Sequence, residues 1–249
     1  MTLLDVDSLT VRYGGVLALD HVSFGIDAGT LIGLIGPNGA GKTTCIDALT
    51  GYTAHTGRVR LDATAIDRLP PHRRARLGLV RTFQSVELFD DLDVLGNLLV
   101  ASAAPRWWHP FADLVVPSRA HGHVAAVERA IDLLGLHALA DRPTSELTEG
   151  ERKLVGVARA LAREPRLLLL DEPAAGLDTG ESLMLGERLR AIVESGVTVL
   201  LVDHDIDLVV RICDTLHVLD SGALLCSGSP QDVIHDDRVV TAYIGGMTT

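Results

Sequence analysis

Between the apolar run Leu31 to Ile35 and the helix-forming stretch Thr44 to Leu49 stands Gly36-Pro37-Asn38-Gly39-Ala40-Gly41-Lys42-Thr43, which fits the pattern GxxxxGK[ST]. This segment constrains the fold more than any other. A strand must deliver the chain into a glycine loop and a helix must leave it, because such a loop works only where backbone amides and a helix N-terminus converge on one point. The glycines let the amides turn toward phosphate oxygens, Lys42 adds a point charge near the β- and γ-phosphates, and Thr43 puts its hydroxyl on Mg²⁺. Gly36, Pro37, Asn38, Gly39, Ala40, Gly41, Lys42, Thr43 and Thr44 are therefore the expected contacts of a nucleoside triphosphate.

A chain of 249 residues, 47% of them hydrophobic, has enough material for one α/β core with a subdomain. Its longest apolar runs, Leu167 to Leu170 and Val197 to Val202, are strand-sized and far short of a bilayer crossing. The start of the chain carries Asp5 and Asp7 and lacks the basic and apolar regions of a secretory signal, which predicts a protein that stays in the cytoplasm. Cys45, Cys213 and Cys226 show no CxxC spacing and read as reduced, buried thiols. A net charge of −11 argues against a sequence-independent grip on nucleic acid, which needs a basic face. The basic cluster Arg68, Arg73, Arg74 and Arg76 reads as a solvated helix face.

Residues 3 to 35 alternate apolar and polar positions, predicting antiparallel strands that lead into the loop strand. The later runs Leu167 to Leu170, Val197 to Val202 and Leu216 to Leu219 do not alternate, which predicts a parallel sheet buried on both faces. Gly222 to Gly228 reads as a final hairpin arm, followed by short helices from Pro230 and around Val239 to Ile244. Between residues 85 and 165 helical periodicity takes over, at Val127, Ala130, Ile131 and Leu134 and again at Leu154, Ala158 and Leu161. Within it, Pro105 to Pro117 holds Trp107, Trp108 and Phe111 among three prolines; a docking loop and a satellite core are both open readings.

Leu167 to Leu170 run directly into Asp171-Glu172-Pro173. At the carboxyl edge of a parallel sheet, beside a phosphate loop, one carboxylate suits Mg²⁺ and the other suits water: Asp171 the metal, Glu172 the nucleophile. With these residues in view, nearly the whole chain resembles the ATP-binding subunits of ABC transporters. The resemblance implies an α/β fold of the P-loop NTPase, ABC ATPase type: a mostly parallel core sheet flanked by helices, an antiparallel β subdomain at the N-terminus, and a helical subdomain. Residues 1–84 and 166–249 would form the core with the β subdomain, and 85–165 the helical subdomain with the signature motif. Tyr13 in VRYGG stands where the family stacks an aromatic ring on adenine, and Gln84 in RTFQ matches the glutamine that touches Mg²⁺ and water. Asp178 in AAGLD matches the loop that communicates across the dimer, and His204 in LLVDHD matches the histidine that contacts the γ-phosphate.

The resemblance places the signature at Leu147-Thr148-Glu149-Gly150-Glu151, ahead of a helix RKLVGVARALA. Thr148 replaces a serine of the LSGGQ pattern and keeps the hydroxyl; Glu149 and Glu151 add carboxylates where a partner's triphosphate would sit, at about 1 kcal/mol each if partly exposed. The segments RTFQSVELFDDLDVLGNLLVA, EPAAGLD and SGSPQDVIHDDRVVTAYIG look most like importer subunits for branched-chain amino acids and related amides or urea. What this implies is an ATP- and Mg²⁺-dependent ATPase with Glu172, His204 and Gln84 as its catalytic residues and Thr43, Gln84 and Asp171 at the metal. Its partners would be a second, identical or paralogous ATPase subunit, two membrane-spanning permease subunits and an extracytoplasmic solute-binding protein. Its place would be the cytoplasmic face of the membrane. Two other readings are a soluble ABC ATPase acting on nucleic acid or ribosomes, and a poorly hydrolysing regulatory subunit; the single ATPase half and the acidic charge oppose the first, and retention of Asp171, Glu172, Gln84 and His204 opposes the second.

Overall fold

The computed structural model of the chain describes residues 1–83, 87–102 and 118–245. The alternating segment becomes two long strands, β1 (Thr2–Tyr13) and β2 (Val16–Asp27). Leu4, Val6, Leu9 and Val11 of β1 are buried, as are Val22, Phe24 and Ile26 of β2, while the residues between them turn outward. That period of two is what a sheet packed on one face requires. With β4 (Thr56–Leu61) and β5 (Thr64–Ala65) these strands make an antiparallel sheet in the order β2-β1-β4-β5.

The strands without alternation build the other sheet. β3 (Leu31–Ile35), β7 (Leu167–Asp171) and β8 (Thr198–Val202) are buried at every position. They are joined by β6 (Leu79–Arg81), β9 (Thr215–Asp220) and β10 (Ala223–Gly228) in the order β10-β9-β3-β8-β7-β6. Pairing is parallel from β9 to β6 and antiparallel at the β10 edge. β3 thus lies inside the sheet, and the loop that follows it opens at the carboxyl ends of the strands, where ligands of such sheets bind. Helices α1 (Lys42–Thr50), α6 (Thr179–Glu194) and α7 (Ile206–Ile212) follow β3, β7 and β8; α2 (Pro71–Arg76) precedes β6, and α8 (Pro230–Ile234) and α9 (Asp237–Gly245) end the described chain. The expected antiparallel strands, parallel sheet and terminal hairpin arm are all present.

Two compact units emerge, Met1–Arg81 with Arg166–Thr249, and Thr82–Pro165. The second is built on α3 (Val94–Ser102), α4 (Ser118–Leu134) and α5 (Glu149–Leu161). Val127, Ala130, Ile131 and Leu134 of α4 and Val155, Ala158 and Leu161 of α5 are buried at helical spacing. Leu154, expected on the buried face of α5, is only half-buried because Val155 takes the deeper position.

The basic cluster divides. Arg68, Arg73 and Arg76 are exposed, but Arg74 is 2% exposed, against the expectation of a uniformly solvated face. Its guanidinium donates to the carbonyls of Ala48 and Leu49 at 2.7 Å each, and to Leu69 and Asp67 at 2.8 and 2.9 Å. The last carbonyls of α1 run short of intrahelical donors, the C-cap Gly51 N–H reaching Ala48 at 3.2 Å, and this side chain adds donors to Ala48 and Leu49. Cys45 and Cys213 are buried thiols; Cys226, on the edge strand β10, is only half-buried. Gln84 and the Trp107, Trp108 and Phe111 segment lie outside the described residues.

Candidate functional site

The loop after β3 can exist only with glycine at its first position. Gly36 has φ of +152°, and a Cβ on it would lie 2.1 Å from the Leu219 carbonyl oxygen. Gly41, at φ +102°, is the N-cap of α1 and lends it no side-chain hydrogen bond. The first-turn amides of α1 are thus left for a ligand, and an anion is the species their dipole favours. Lys42 arches over the loop, its Nζ donating to the carbonyls of Gly36 at 2.7 Å and Pro37 at 3.1 Å. Burial lowers its pKa from the ordinary lysine value, while the charges of Glu172 and Asp171 work the other way. A cleft of about 400 Å³ opens above, lined by Val16, Leu17 and Ala18, by Asn38 to Thr44, by Glu172, and by Ser221 and Gly222. Its size suits a nucleotide.

The carboxylates arrive from the neighbouring strand ends. Asp171 closes β7 and is 5% exposed. Glu172 has φ of +51°, a left-handed backbone that a non-glycine residue adopts at a cost, and its N–H is fastened to the Val202 carbonyl at 2.7 Å. The turn aims Glu172 into the cleft with Lys42. At the end of β8, Asp203 is 1% exposed and accepts from the N–H groups of Ala174 at 3.0 Å, His204 at 2.8 Å and Asp205 at 3.0 Å. It ties the turn after Glu172 to the segment bearing His204. His204 itself is largely exposed, with Nδ1 3.6 Å from Asp203 Oδ1.

Among the described residues no group of three or more His, Cys, Asp or Glu forms a metal cage. Thr43 on α1 and Asp171 on β7 carry hard oxygen atoms of the kind that Mg²⁺ takes when substrate phosphates and water complete its shell. Arg81, at the end of β6, donates through Nη2 to Asp171 Oδ2 at 2.8 Å and through Nη1 to Asp47 Oδ1 on α1. The sequence reading missed Arg81, Asp47 and Asp203. A carboxylate ending an apolar strand, as Asp203 does, was the one available signal.

Tyr13 is half-exposed, its hydroxyl 3.0 Å from Thr53 Oγ1, and it is not part of the cleft lining. Asp178 is the N-cap of α6, in a capping box with Glu181. In the second unit, Thr148 is the N-cap of α5. Its Oγ1 accepts from the Glu151 N–H at 3.2 Å, and its own N–H donates to Glu151 Oε2 at 2.8 Å. Arg142 approaches Glu151 at 3.4 Å, and Lys153 approaches Glu149 at 3.8 Å. Glu151, standing where the LSGGQ pattern has glutamine, closes a capping box, and its carboxylate turns back on its own helix.

The ABC transporter family model matches residues 19–175 of the chain. The high-affinity branched-chain amino acid transport ATP-binding protein BraF of Pseudomonas aeruginosa is 38% identical, with 98% of each chain covered. The protein LivG of Escherichia coli, described in the same words, is 37% identical over the same shares. Among solved structures, the ADP conformation of MJ1267, an ATP-binding cassette of an ABC transporter, superposes with a TM-score of 0.86 at 30% identity, covering 98% of this chain and 99% of that one.

Proposed function

The chain belongs to the ABC transporter family of ATP-binding proteins, and from that premise we propose that it is the ATP-hydrolysing subunit of an importer for branched-chain amino acids or related small solutes. The observation that carries the reading is one cleft in which Lys42, Thr43 and Glu172 meet over a helix N-terminus without a side-chain cap. In this reading the amides of residues 39 to 44 and Lys42 hold the β- and γ-phosphates, and Tyr13 stacks on adenine. Mg²⁺, when bound at Thr43, Asp171 and Gln84, offsets phosphate charge. Glu172 orients a water and takes its proton as the oxygen attacks the γ-phosphorus; the bond to the β–γ bridging oxygen breaks, leaving ADP and phosphate. His204 and Gln84 hold the γ-phosphate and water in line, and Lys42 stabilises the charge that develops.

The third wall of the site is supplied by Thr148 to Glu151 of a second ATPase subunit, with Asp178 at the junction between subunits. Closure of this pair on ATP is read by two permease subunits, which explains how a chain whose described helices are all too short or too polar to cross a membrane works at its cytoplasmic face. An extracytoplasmic binding protein delivers the solute. The nucleic-acid reading finds no support, since the relatives matched end to end are transport proteins.

Glu172→Gln tests the assignment. The variant binds ATP as the wild type does, its phosphate release falls about 100-fold or more, and it accumulates as an ATP-bound dimer on gel filtration. Wild-type turnover in this variant overturns the role of Glu172. Vesicles carrying the purified complex identify the solute class: leucine, isoleucine or valine stimulates ATP hydrolysis, whereas stimulation by other solutes alone removes the branched-chain assignment.

A further inference from the structure

Arg81 is a buried cation that the mechanism above does not use. Its side chain is 7% exposed and stands between two carboxylates from separate elements, Asp171 at the end of β7 and Asp47 on α1. Each place has meaning. β6 pairs with β7 in parallel, Arg81 opposite Leu169, so Asp171 lies two residues further along the adjoining strand. On α1, Asp47 follows Thr43 by four residues, one turn along the same helix face. One guanidinium therefore spans the strand that carries Asp171 and the helix that carries Thr43, two of the three protein groups proposed for the metal.

We infer that Arg81 is a positioning residue for the metal–nucleotide site: through Asp47 and Asp171 it fixes the distance between the two elements that present Thr43 and Asp171 to Mg²⁺. This inference rests on the nucleotide-site reading given above. A planar guanidinium with donors in a rigid fork reaches two carboxylates at once and holds their separation; an ammonium is a point charge on a flexible stem and does not. The arrangement is also electrostatically poised. Among the described residues, Asp47 and Asp171 pair with Arg81, while the charges of Glu172 and Asp171 act on Lys42. Arg81 offsets part of the carboxylate charge. Partners that orient metal ligands from behind change metal affinity about 10- to 100-fold when altered. A buried ion pair that serves only folding has another signature: its loss lowers stability without a bias toward metal.

The experiment separates these outcomes with ADP as the ligand, so that hydrolysis plays no part. Binding of ADP to the full-length wild type, Arg81→Lys and Asp47→Asn is measured by calorimetry in Mg²⁺ and again in EDTA, alongside the melting temperature of each. In the wild type Mg²⁺ strengthens ADP binding. In Arg81→Lys the strengthening falls about tenfold while affinity in EDTA stays at the wild-type value, and Asp47→Asn moves the ratio in the same direction. A lower melting temperature with the wild-type Mg²⁺-to-EDTA ratio in both variants overturns the positioning role and leaves a structural staple. If Arg81→Lys does not fold, the ratio in Asp47→Asn decides the matter by the same criterion. A wild type whose ADP binding ignores Mg²⁺ overturns the underlying metal-site reading as well, an outcome distinct from failure of the variants alone.

Discussion

His217 shows how much a single interior polar side chain governs. It is 4% exposed, with Nδ1 2.7 Å from Ser227 Oγ on β10 and Nε2 3.3 Å from the Gly25 carbonyl on β2, and its ring centroid lies 4.9 Å from that of Phe24. One residue of β9 thus links both sheets. Burial lowers its pKa below the ordinary histidine value of 6.5, with the Gly25 carbonyl opposing. The sign follows: below 6.5 the unfolded chain takes up a proton that the folded chain resists, so stability is whole above 6.5 and declines as pH falls from there toward the folded-state pKa. Urea midpoints between about pH 7 and about pH 5 should fall in the wild type, and the slope should be shallower in His217→Gln, whose amide does not charge. Equal slopes would remove His217 from the account. Nothing near His217 in sequence announces this place, because the Gly25 partner is 192 residues away. The pairing of Arg81 with Asp171, 90 residues apart, escapes sequence reading for the same reason, although Asp171 itself is legible, as is the local Gly36 to Thr43 loop.

At the scale of elements, legibility follows period. Strands β3, β7 and β8 are continuous apolar runs because both faces are covered, and β1 and β2 alternate because one face is. Helix α5 is legible as a helix but not in its N-terminal detail. Thr148 and Glu151 close a capping box, and Glu149 and Glu151 bring two carboxylates to the first turn. Those charges complement the helix dipole and suit the isolated element. In the two-subunit site proposed above they would oppose the γ-phosphate held by the second subunit, which calls on the same end of the helix. Glu151→Gln separates the two roles, since glutamine also closes a capping box but carries no charge. Removing about 1 kcal/mol of repulsion should raise steady-state phosphate release about fivefold, with little change in melting temperature. A turnover equal to the wild type would mean that the capping geometry keeps the carboxylate clear of the phosphate.

At the scale of the molecule, the first unit is discontinuous in sequence: Met1–Arg81 and Arg166–Thr249 fold together around an 84-residue stretch, Thr82–Pro165, that forms its own unit. β3, which leads into the phosphate loop, pairs on both sides with strands from the far segment, β8 and β9. The cleft repeats the pattern, drawing residues 16–18 and 38–44 from the first segment and Glu172, Ser221 and Gly222 from the second. A nucleotide in this cleft therefore touches both segments and is bound only when they have met. Its binding free energy then adds to the stability of the unit as a whole, by about 2.7 kcal/mol when ligand stands at 100 times its dissociation constant. For a chain of this length that corresponds to a rise in melting temperature of roughly 5 to 10 °C in MgADP. Lys42→Ala, which removes the loop's cation without touching either sheet, should melt near the wild type without ligand and show little of the rise. Scanning calorimetry of both proteins across a series of MgADP concentrations checks this. A rise of equal size in the variant would place the stabilising site elsewhere, because binding linked to this loop has to weaken when Lys42 is gone.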